Sequence, residues 1–194
     1  MCSGDIADAD VFLESFRPGV MQRLGFDYAA VSARNPRIIY CSISAFGQAG
    51  NLAQHPAHDI VVQALTGFMS VNDGLDGIPV VPAVPSADMA AGLTGLSAVL
   101  MALIGRDKTG LGDYCDIAMY DAMLPWSAHI AGAALGGGEP PRSASQRSLG
   151  GAALYNVYRT ADGQYMVLGG REMKFARTLL TALGRDDLLP LAAR

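Results

Sequence analysis

The stretch IIYCSIS at residues 38–44 decides the fold class of this chain. It is rich in β-branched and aromatic residues and nearly all apolar, which predicts a strand that is buried on both faces. An earlier apolar run at residues 11–16 predicts another strand. Asp27 caps a predicted helix that lies between the two strands and runs to about Arg34. A strand, a helix and a strand in this order indicate a parallel α/β unit.

The middle of the chain predicts a long helix, a third strand and a further helix. An Ala-, Gly- and Leu-rich segment at residues 86–104 predicts the long helix, with Ser86 as its N-cap. A charged, glycine-containing turn is predicted at residues 106–113, a strand at 114–119 and a helix at 121–135. These elements extend the α/β unit.

A Gly- and Pro-rich segment at residues 137–151 predicts a linker. Residues 1–136 before it form part of one domain, and residues 152–194 after it form the start of a second, smaller one. In this second part, alternating residues over 153–168 surround the turn Ala-Asp-Gly and predict a β-hairpin. A helix at residues 172–183 follows the hairpin.

Composition excludes several classes of function. The net charge is −4 without a basic run, which disfavours nucleic-acid binding, because neutralising phosphates needs clustered Lys and Arg. Cys2, Cys41 and Cys115 are an odd number without metal-ligand spacing, and the first ten residues do not form a signal peptide, so we expect a cytoplasmic protein. The most apolar run, residues 93–104, is too short to span a bilayer and predicts a buried helix without a membrane partner. No P-loop, no Gly-x-Gly-x-x-Gly after a strand, no Gly-x-Ser-x-Gly and no His-Glu-x-x-His motif is present.

The strongest candidates for chemistry are His58 and Asp88, which are 30 residues apart. His58 precedes a predicted helix at residues 59–69, and Asp88 lies in the first turn of the long helix. Helix N-termini favour negative charge on a carboxylate or on a reacting oxyanion. The alternatives are a solvated loop histidine and a capping carboxylate. His55 could pair with His58 on a metal, but no third ligand has matching spacing, so we predict no metal site.

Three further charged residues have a functional and a plain interpretation. Glu172 is either a first-turn residue that interacts with the helix dipole or the carboxylate that holds His58. Arg17 and Arg23 flank Pro-Gly-Val after a predicted strand. They are either exposed arginines or a phosphate clamp at the carboxyl end of that strand.

Several short motifs together resemble a known family. FRPGV at residues 16–20, followed by RLG at 23–25, resembles the (F/Y)RPG…RLG signature of the family III CoA transferases, the CaiB/BaiF type, and of the related α-methylacyl-CoA racemases. The other matching segments are NPRIIY at 35–40, SAFGQ at 44–48, HDI at 58–60, ADMAAG at 87–92, RDKTG at 106–110 and YRTADG at 158–163. Their order and spacing carry the resemblance over about residues 8–190.

The resemblance implies a fold and a site. Family members bind acyl-CoA thioesters, hold no permanently bound cofactor and form interlocked homodimers, so acyl-CoA and a second copy are the expected partners. The implied fold class is α/β, with part of a Rossmann-like large domain of parallel strands and helices and part of a small α+β domain. Asp88 matches the transferase nucleophile that forms an acyl-aspartyl anhydride. His58 and Asp88 match the paired acid and base of the racemases, Glu172 the partner of the histidine, and Arg17 and Arg23 arginines near the CoA phosphates.

Three interpretations of function stay open. Many transferases carry an aromatic residue where this chain has His58, which favours racemase-like α-proton chemistry on a 2-methylacyl-CoA. The second interpretation is CoA transfer between carboxylic acids through Asp88. The third follows from length: family members are about twice as long, so the chain resembles a form truncated at both ends. A truncated, non-catalytic remnant that acts only in dimerisation is therefore the remaining interpretation.

Overall fold

The computed structural model describes residues 6–74, 76–144 and 149–192. The helices and strands follow the order β1 (Val11–Glu14), α1 (Val20–Leu24), α2 (Tyr28–Arg34), β2 (Ile39–Ser44), α3 (Asp59–Leu65), a 3-10 helix (Phe68–Val71), α4 (Ser86–Thr109), β3 (Asp113–Ala118), α5 (Met119–Trp126), α6 (Ala128–Gly137), β4 (Tyr155–Arg159), β5 (Tyr165–Gly169), α7 (Met173–Ala182), a 3-10 helix (Asp186–Leu188) and α8 (Leu189–Ala192).

A three-stranded parallel sheet confirms the predicted α/β fold. β2 lies between β1 and β3, and Ile39 pairs with Val11 on one side and with Asp113 on the other. Residues 39–42 of β2 are fully buried, as expected of a central strand whose two faces are both covered.

Two apolar clusters cover the two faces of the sheet. Tyr40 packs with Phe12 and with Val31 of α2 on one face. Cys41, the next residue of β2, packs on the opposite face with Val62 of α3 and with residues of α4 and α5. Successive side chains of a strand point to opposite faces, so this one strand contributes to both clusters.

Small residues bring α4 close to β2. Ala87, Ala90, Ala91 and Gly95 are buried on this helix. A Cβ on Gly95 would lie 3.3 Å from Cδ1 of Ile43, which is tight packing. The small residues therefore let α4 pack directly against the sheet.

The long helix differs from its prediction at both ends. Ser86 is its first helical residue rather than its N-cap, a position that Pro85 takes without a side-chain bond. The C-terminus lies at Thr109, so the first residues of the predicted turn at 106–113 are helical instead. Arg106 stabilises this last turn through tertiary hydrogen bonds to Asp10 and to a backbone carbonyl, which local sequence does not reveal. Gly110, in the left-handed conformation at φ +73°, ends the helix.

Two other predicted helices are divided. The helix predicted at residues 121–135 is two helices, α5 and α6, which are interrupted at Ser127. Pro125 lies near the end of α5, where its missing N–H and its ring disturb the helical hydrogen bonds. The helix predicted at residues 59–69 ends at Leu65, because Gly67 has a φ of +78° and begins a separate 3-10 turn.

α4 is also relevant to membranes. It has 24 residues, twice the length of the apolar run at residues 93–104. By length and composition alone it could cross a membrane. In its most apolar window 22% of the residues are buried. Such a helix is weak evidence for a membrane span, since the core helix of a globular protein passes the same test.

The C-terminal part contains the predicted hairpin and helix. β4 and β5 pair antiparallel, with Tyr155 opposite Gly169, and α7 follows. The predicted linker at residues 137–151 falls mostly between α6 and β4, and residues 145–148 of it lie outside the described residues. The division into two domains stays a prediction.

Candidate functional site

A cavity of about 500 Å³ lies at the carboxyl ends of β1 and β2. Its walls come from the loops that follow these strands and from the first turns of α3 and α4. The carboxyl edge of a parallel sheet is where α/β proteins bind ligands, so this cavity is the best candidate site.

His58 and Asp88 both line this cavity. His58 is the N-cap of α3 and has an extended backbone, and its side chain makes no capping hydrogen bond. Asp88 lies in the first turn of α4, with its carboxyl exposed to the cavity. The fold therefore brings the two side chains, distant in sequence, to one space.

The pKa of the Asp88 carboxyl is raised above its ordinary value. Partial burial is the main cause, and the negative charge of Asp59 adds to it. The imidazole of His58 acts in the opposite direction and lowers the pKa. A carboxyl whose pKa is raised retains its proton to higher pH and is suited to act as an acid.

Asp59, for which the local sequence predicts no role, links the two helices that carry these residues. Its Oδ1 accepts hydrogen bonds from the backbone N–H groups of Ala87 (2.8 Å) and Asp88 (3.2 Å). Its Oδ2 accepts a hydrogen bond from Nε2 of Gln63 (2.5 Å). The signal in the sequence was an aspartate directly after the candidate histidine, but its partner helix lies 28 residues away and could not be identified locally.

The two candidate arginines differ in position. Arg17 lines the cavity of His58 and Asp88 as well as an adjacent one of about 370 Å³. Arg23 is not among the described residues that line either of these cavities. Its guanidinium lies over Gly19, whose Cβ, if present, would be 3.5 Å from Nη1. Since Gly19 lines the adjacent cavity, Arg23 lies at its border.

Glu172 is not brought to the site within one chain. It is the exposed N-cap of α7 and is absent from the described residues that line the cavity. The predicted contact with His58 is thus not seen among the described contacts of this chain.

The arrangement favours acid–base or nucleophilic chemistry. Across the described ranges, no group of three or more His, Cys, Asp or Glu side chains is placed to hold a metal ion. His55 also lines the cavity. His55 and His58 are the two histidines among its described lining residues. An imidazole and a carboxyl that share one cavity can move a proton, and a solvent-accessible carboxylate can attack an electrophilic carbon.

Comparison with known proteins identifies the family. The profile of "CoA-transferase family III" matches residues 6–193. The chain is 35% identical over 184 residues to acetyl-CoA:oxalate CoA-transferase of Acetobacter aceti, covering 94% of this chain and 47% of that protein. It is 37% identical over 186 residues to alpha-methylacyl-CoA racemase of Homo sapiens, covering 94% of this chain and 48% of that protein.

A solved structure agrees with this relationship. The crystal structure of a CAIB/BAIF family protein from Brucella suis superposes with a TM-score of 0.78 at 33% identity, covering 94% of this chain and 48% of that one. The chain spans about half the length of the relatives it matches. The sequence profile, the relatives and the shared fold together show that the chain belongs to CoA-transferase family III.

Proposed function

We propose that the protein acts on acyl-CoA thioesters by racemase-like removal and return of an α-proton, with a 2-methylacyl-CoA as substrate. The observation that carries this proposal is the shared cavity of His58 and Asp88. The identity with the human protein named alpha-methylacyl-CoA racemase supports it.

The mechanism uses the two side chains on opposite faces of one carbon. The thioester acidifies the α-C–H bond, and His58 takes this proton as general base. The electron pair moves into the thioester, and N–H groups at the start of α3, which no side chain caps, would stabilise the resulting enolate oxygen. Asp88, whose pKa is raised, returns a proton from the other face and inverts the centre. The reverse direction exchanges the two roles.

Exchange of the α-proton in D₂O tests this proposal. The full chain should invert a 2-methylacyl-CoA and incorporate deuterium at its α-carbon, and Asp88→Asn should abolish the inversion, because His58 alone can exchange only the proton on its own face. Asp107→Asn is a matched control, because Asp107 lies on the same helix about 28 Å from Asp88. A wild-type chain that binds the thioester without exchange contradicts the proposal.

CoA transfer is the second candidate, and the identity with the acetyl-CoA:oxalate CoA-transferase favours it. The Asp88 carboxylate would attack the thioester carbonyl, and the C–S bond would break to release the CoA thiolate. This step leaves an acyl-aspartyl anhydride. Hydroxylamine should then convert Asp88 into a hydroxamate that mass spectrometry detects when acyl-CoA is present. An unmodified Asp88 under these conditions counts against transfer.

We also propose an interlocked homodimer as the working form. The exposed apolar side chains of α4 support a covering partner; they include Leu93, Leu96, Leu100, Met101 and Ile104. The proposed division assigns His58 and Asp88 to the partial large domain (1–136), which the linker (137–151) joins to the start of a small domain (152–194) with Glu172. If Glu172 holds His58, a second copy has to supply it.

A non-catalytic remnant is the alternative of another class, motivated by the half-length match. Titration calorimetry with CoA, combined with a measurement of mass in solution, separates it from an enzyme. A remnant would dimerise without binding CoA. Clear CoA binding by the folded chain rules out this alternative.

The proposed reaction uses the CoA thioester as its substrate and needs no permanently bound cofactor. Arg17 and Arg23 would hold the CoA phosphates, because guanidinium groups match phosphate geometry. Cys41 and Cys115 are free thiols, which supports the cytoplasm as the proposed compartment.

A further inference from the structure

We propose that Asp59 is a positioning residue whose carboxylate holds the N-terminus of α4 in place and sets the electrostatic environment of Asp88. This inference rests on the proposed function for its consequence in catalysis. The positioning of α4 by Asp59 is argued from the hydrogen bonds of Asp59 alone.

The hydrogen bonds of Asp59 fix it on both sides. One oxygen accepts from Ala87 N at 2.8 Å and from Asp88 N at 3.2 Å, so the carboxylate caps the first turn of α4 from outside that helix. The other oxygen accepts from Nε2 of Gln63, whose side chain is buried at 1% exposure. Asp59 is the first residue of α3 and thus joins the start of one helix rigidly to the start of the other.

This cap changes the expected electrostatics of Asp88. Free N–H groups at the start of α4 would favour a charged Asp88. The structure assigns two of these N–H groups, including that of Asp88 itself, to the Asp59 carboxylate. The negative charge of Asp59, held at the start of α4 by these two bonds, opposes ionisation of Asp88.

The other charged groups of the cavity complete this description. His58 opposes the effect of Asp59 on Asp88, and burial reinforces it. Arg17 and His55 also line the cavity. In the proposed reaction, an Asp88 that keeps its proton is the acid that protonates the enolate.

Two substitutions of Asp59 separate its charge from its hydrogen bonds. Asp59→Asn removes the charge but retains an oxygen that can cap α4. Its new N–H₂ group can donate to Oε1 of Gln63 if the Gln63 amide flips. In the described part of the chain this Oε1 is buried and has no hydrogen-bond partner. Asp59→Ala removes both the charge and the cap.

The experiment is a carboxyl ¹³C NMR titration of Asp88 in the full chain, with amide hydrogen exchange at residues 87 and 88. Asp59→Asn should shift the Asp88 titration midpoint to lower pH and leave the two amides protected. Asp59→Ala should shift the midpoint in the same direction and accelerate exchange of both amides. Asp107→Asn, at the far end of α4, should change neither quantity.

The outcomes distinguish this inference from the proposed function. An Asp88 midpoint in Asp59→Asn that equals the wild type overturns the electrostatic role. Amides that stay protected in Asp59→Ala overturn the capping role. Where the wild type exchanges α-protons, Asp59→Asn should also move the acidic limb of the pH–rate profile to lower pH. A wild type without exchange but with the NMR shifts refutes the proposed function and leaves the role of Asp59 intact.

Discussion

Gly112 approaches Ile38 so closely that a Cβ on Gly112 would lie 1.9 Å from the Ile38 carbonyl oxygen. β3 begins at the next residue, Asp113. Gly112 N donates to Pro36 O at 2.8 Å and Asp113 N donates to Ile38 O at 3.2 Å, and these bonds join the start of β3 to the segment that leads into β2. No side chain fits at this distance unless β3 moves away from β2. Because β2 also carries one wall of the cavity, the site depends on this junction.

We therefore expect Gly112→Ala to lower the free energy of unfolding by about 1–3 kcal/mol, the usual effect of overpacking. Gly105→Ala is the matched control. Gly105 lies inside α4, and a Cβ there would have no neighbour within 4 Å. This control should gain about 0.5–1 kcal/mol from its higher helix propensity. Urea denaturation measures both, and a Gly112→Ala chain as stable as the wild type would contradict the packing argument.

Arg106 connects the end of α4 to the sheet and provides a second stability prediction. Its Nη1 donates to Arg37 O at 3.0 Å and its Nη2 to Asp10 Oδ1 at 2.7 Å, and its side chain is 11% exposed. Arg106→Ala should lower the free energy of unfolding by about 1–3 kcal/mol, because two charge-assisted hydrogen bonds and the packing of a largely covered side chain are lost. Asp10→Asn should change it by less than about 1 kcal/mol, since Asp10 is 74% exposed and its acceptor oxygen remains. Equal losses in the two variants would show that the ion pair with Asp10, rather than the bond to Arg37 O and the packing of the Arg106 side chain, carries the stability.

The fold could be predicted from sequence where one strand is buried on both faces. The run at residues 38–44 has no polar face to orient, so its position at the centre of a sheet follows from composition. The ends of α4 could not be predicted in this way. Its last turn carries charged residues that read as a loop, and it is helical because Arg106 reaches Asp10 almost a hundred residues away.

The site was predicted in part, for a comparable reason. His58 and Asp88 each stand at a helix start, and parallel strands bring such starts to one edge of the sheet. The hydrogen bonds of Asp59 to α4 and the position of Glu172 depend on how distant segments pack. Local patterns carry no information about these contacts.

Arg17 and Arg23 should contribute unequally to CoA binding. Arg17 lines both cavities, whereas Arg23 borders only the adjacent one through Gly19. Arg17→Gln should weaken CoA binding about 10-fold, the effect of losing about 1.4 kcal/mol of charge-assisted hydrogen bonding. Arg23→Gln should have a smaller effect. Isothermal titration at constant salt measures both constants, and the reverse order would refute the assignment of Arg17 to the phosphates.

Asp88 should reduce stability at neutral pH. Its folded-state pKa is raised above the ordinary value of 3.8, so the folded state binds the proton more tightly than the unfolded state. The resulting stabilisation is complete below the unfolded pKa and is lost as the pH rises through the folded pKa. Asp88→Asn should therefore be more stable than the wild type at pH 7 and should lose this advantage in acid.

Urea denaturation at a series of pH values measures this difference. Asp107→Asn is the control and should show no such dependence on pH. An Asp88→Asn chain that is less stable than the wild type at pH 7 would indicate that the charged carboxylate stabilises the fold.

Glu172 provides the last prediction, because its exposed position in one chain is compatible with a role only if a second copy brings it to His58. His58→Gln and Glu172→Gln should each reduce α-proton exchange, by about 10²–10⁴-fold for the general base His58 and less for Glu172. Co-expression of the two variants forms mixed dimers. If the residues meet between chains, one of the two sites in a mixed dimer has both wild-type side chains, and activity returns.

If the two residues instead meet within one chain, every site in the mixed dimer lacks one of them, and activity stays low. Co-expression of His58→Gln with Asp88→Asn is the control, since both residues line the cavity of the same chain and no combination rebuilds a complete site. Inversion of a 2-methylacyl-CoA, followed together with deuterium incorporation, measures both pairs. Recovery in the control pair as well would mean that His58 and Asp88 act in different chains, and the one-cavity mechanism would have to be abandoned.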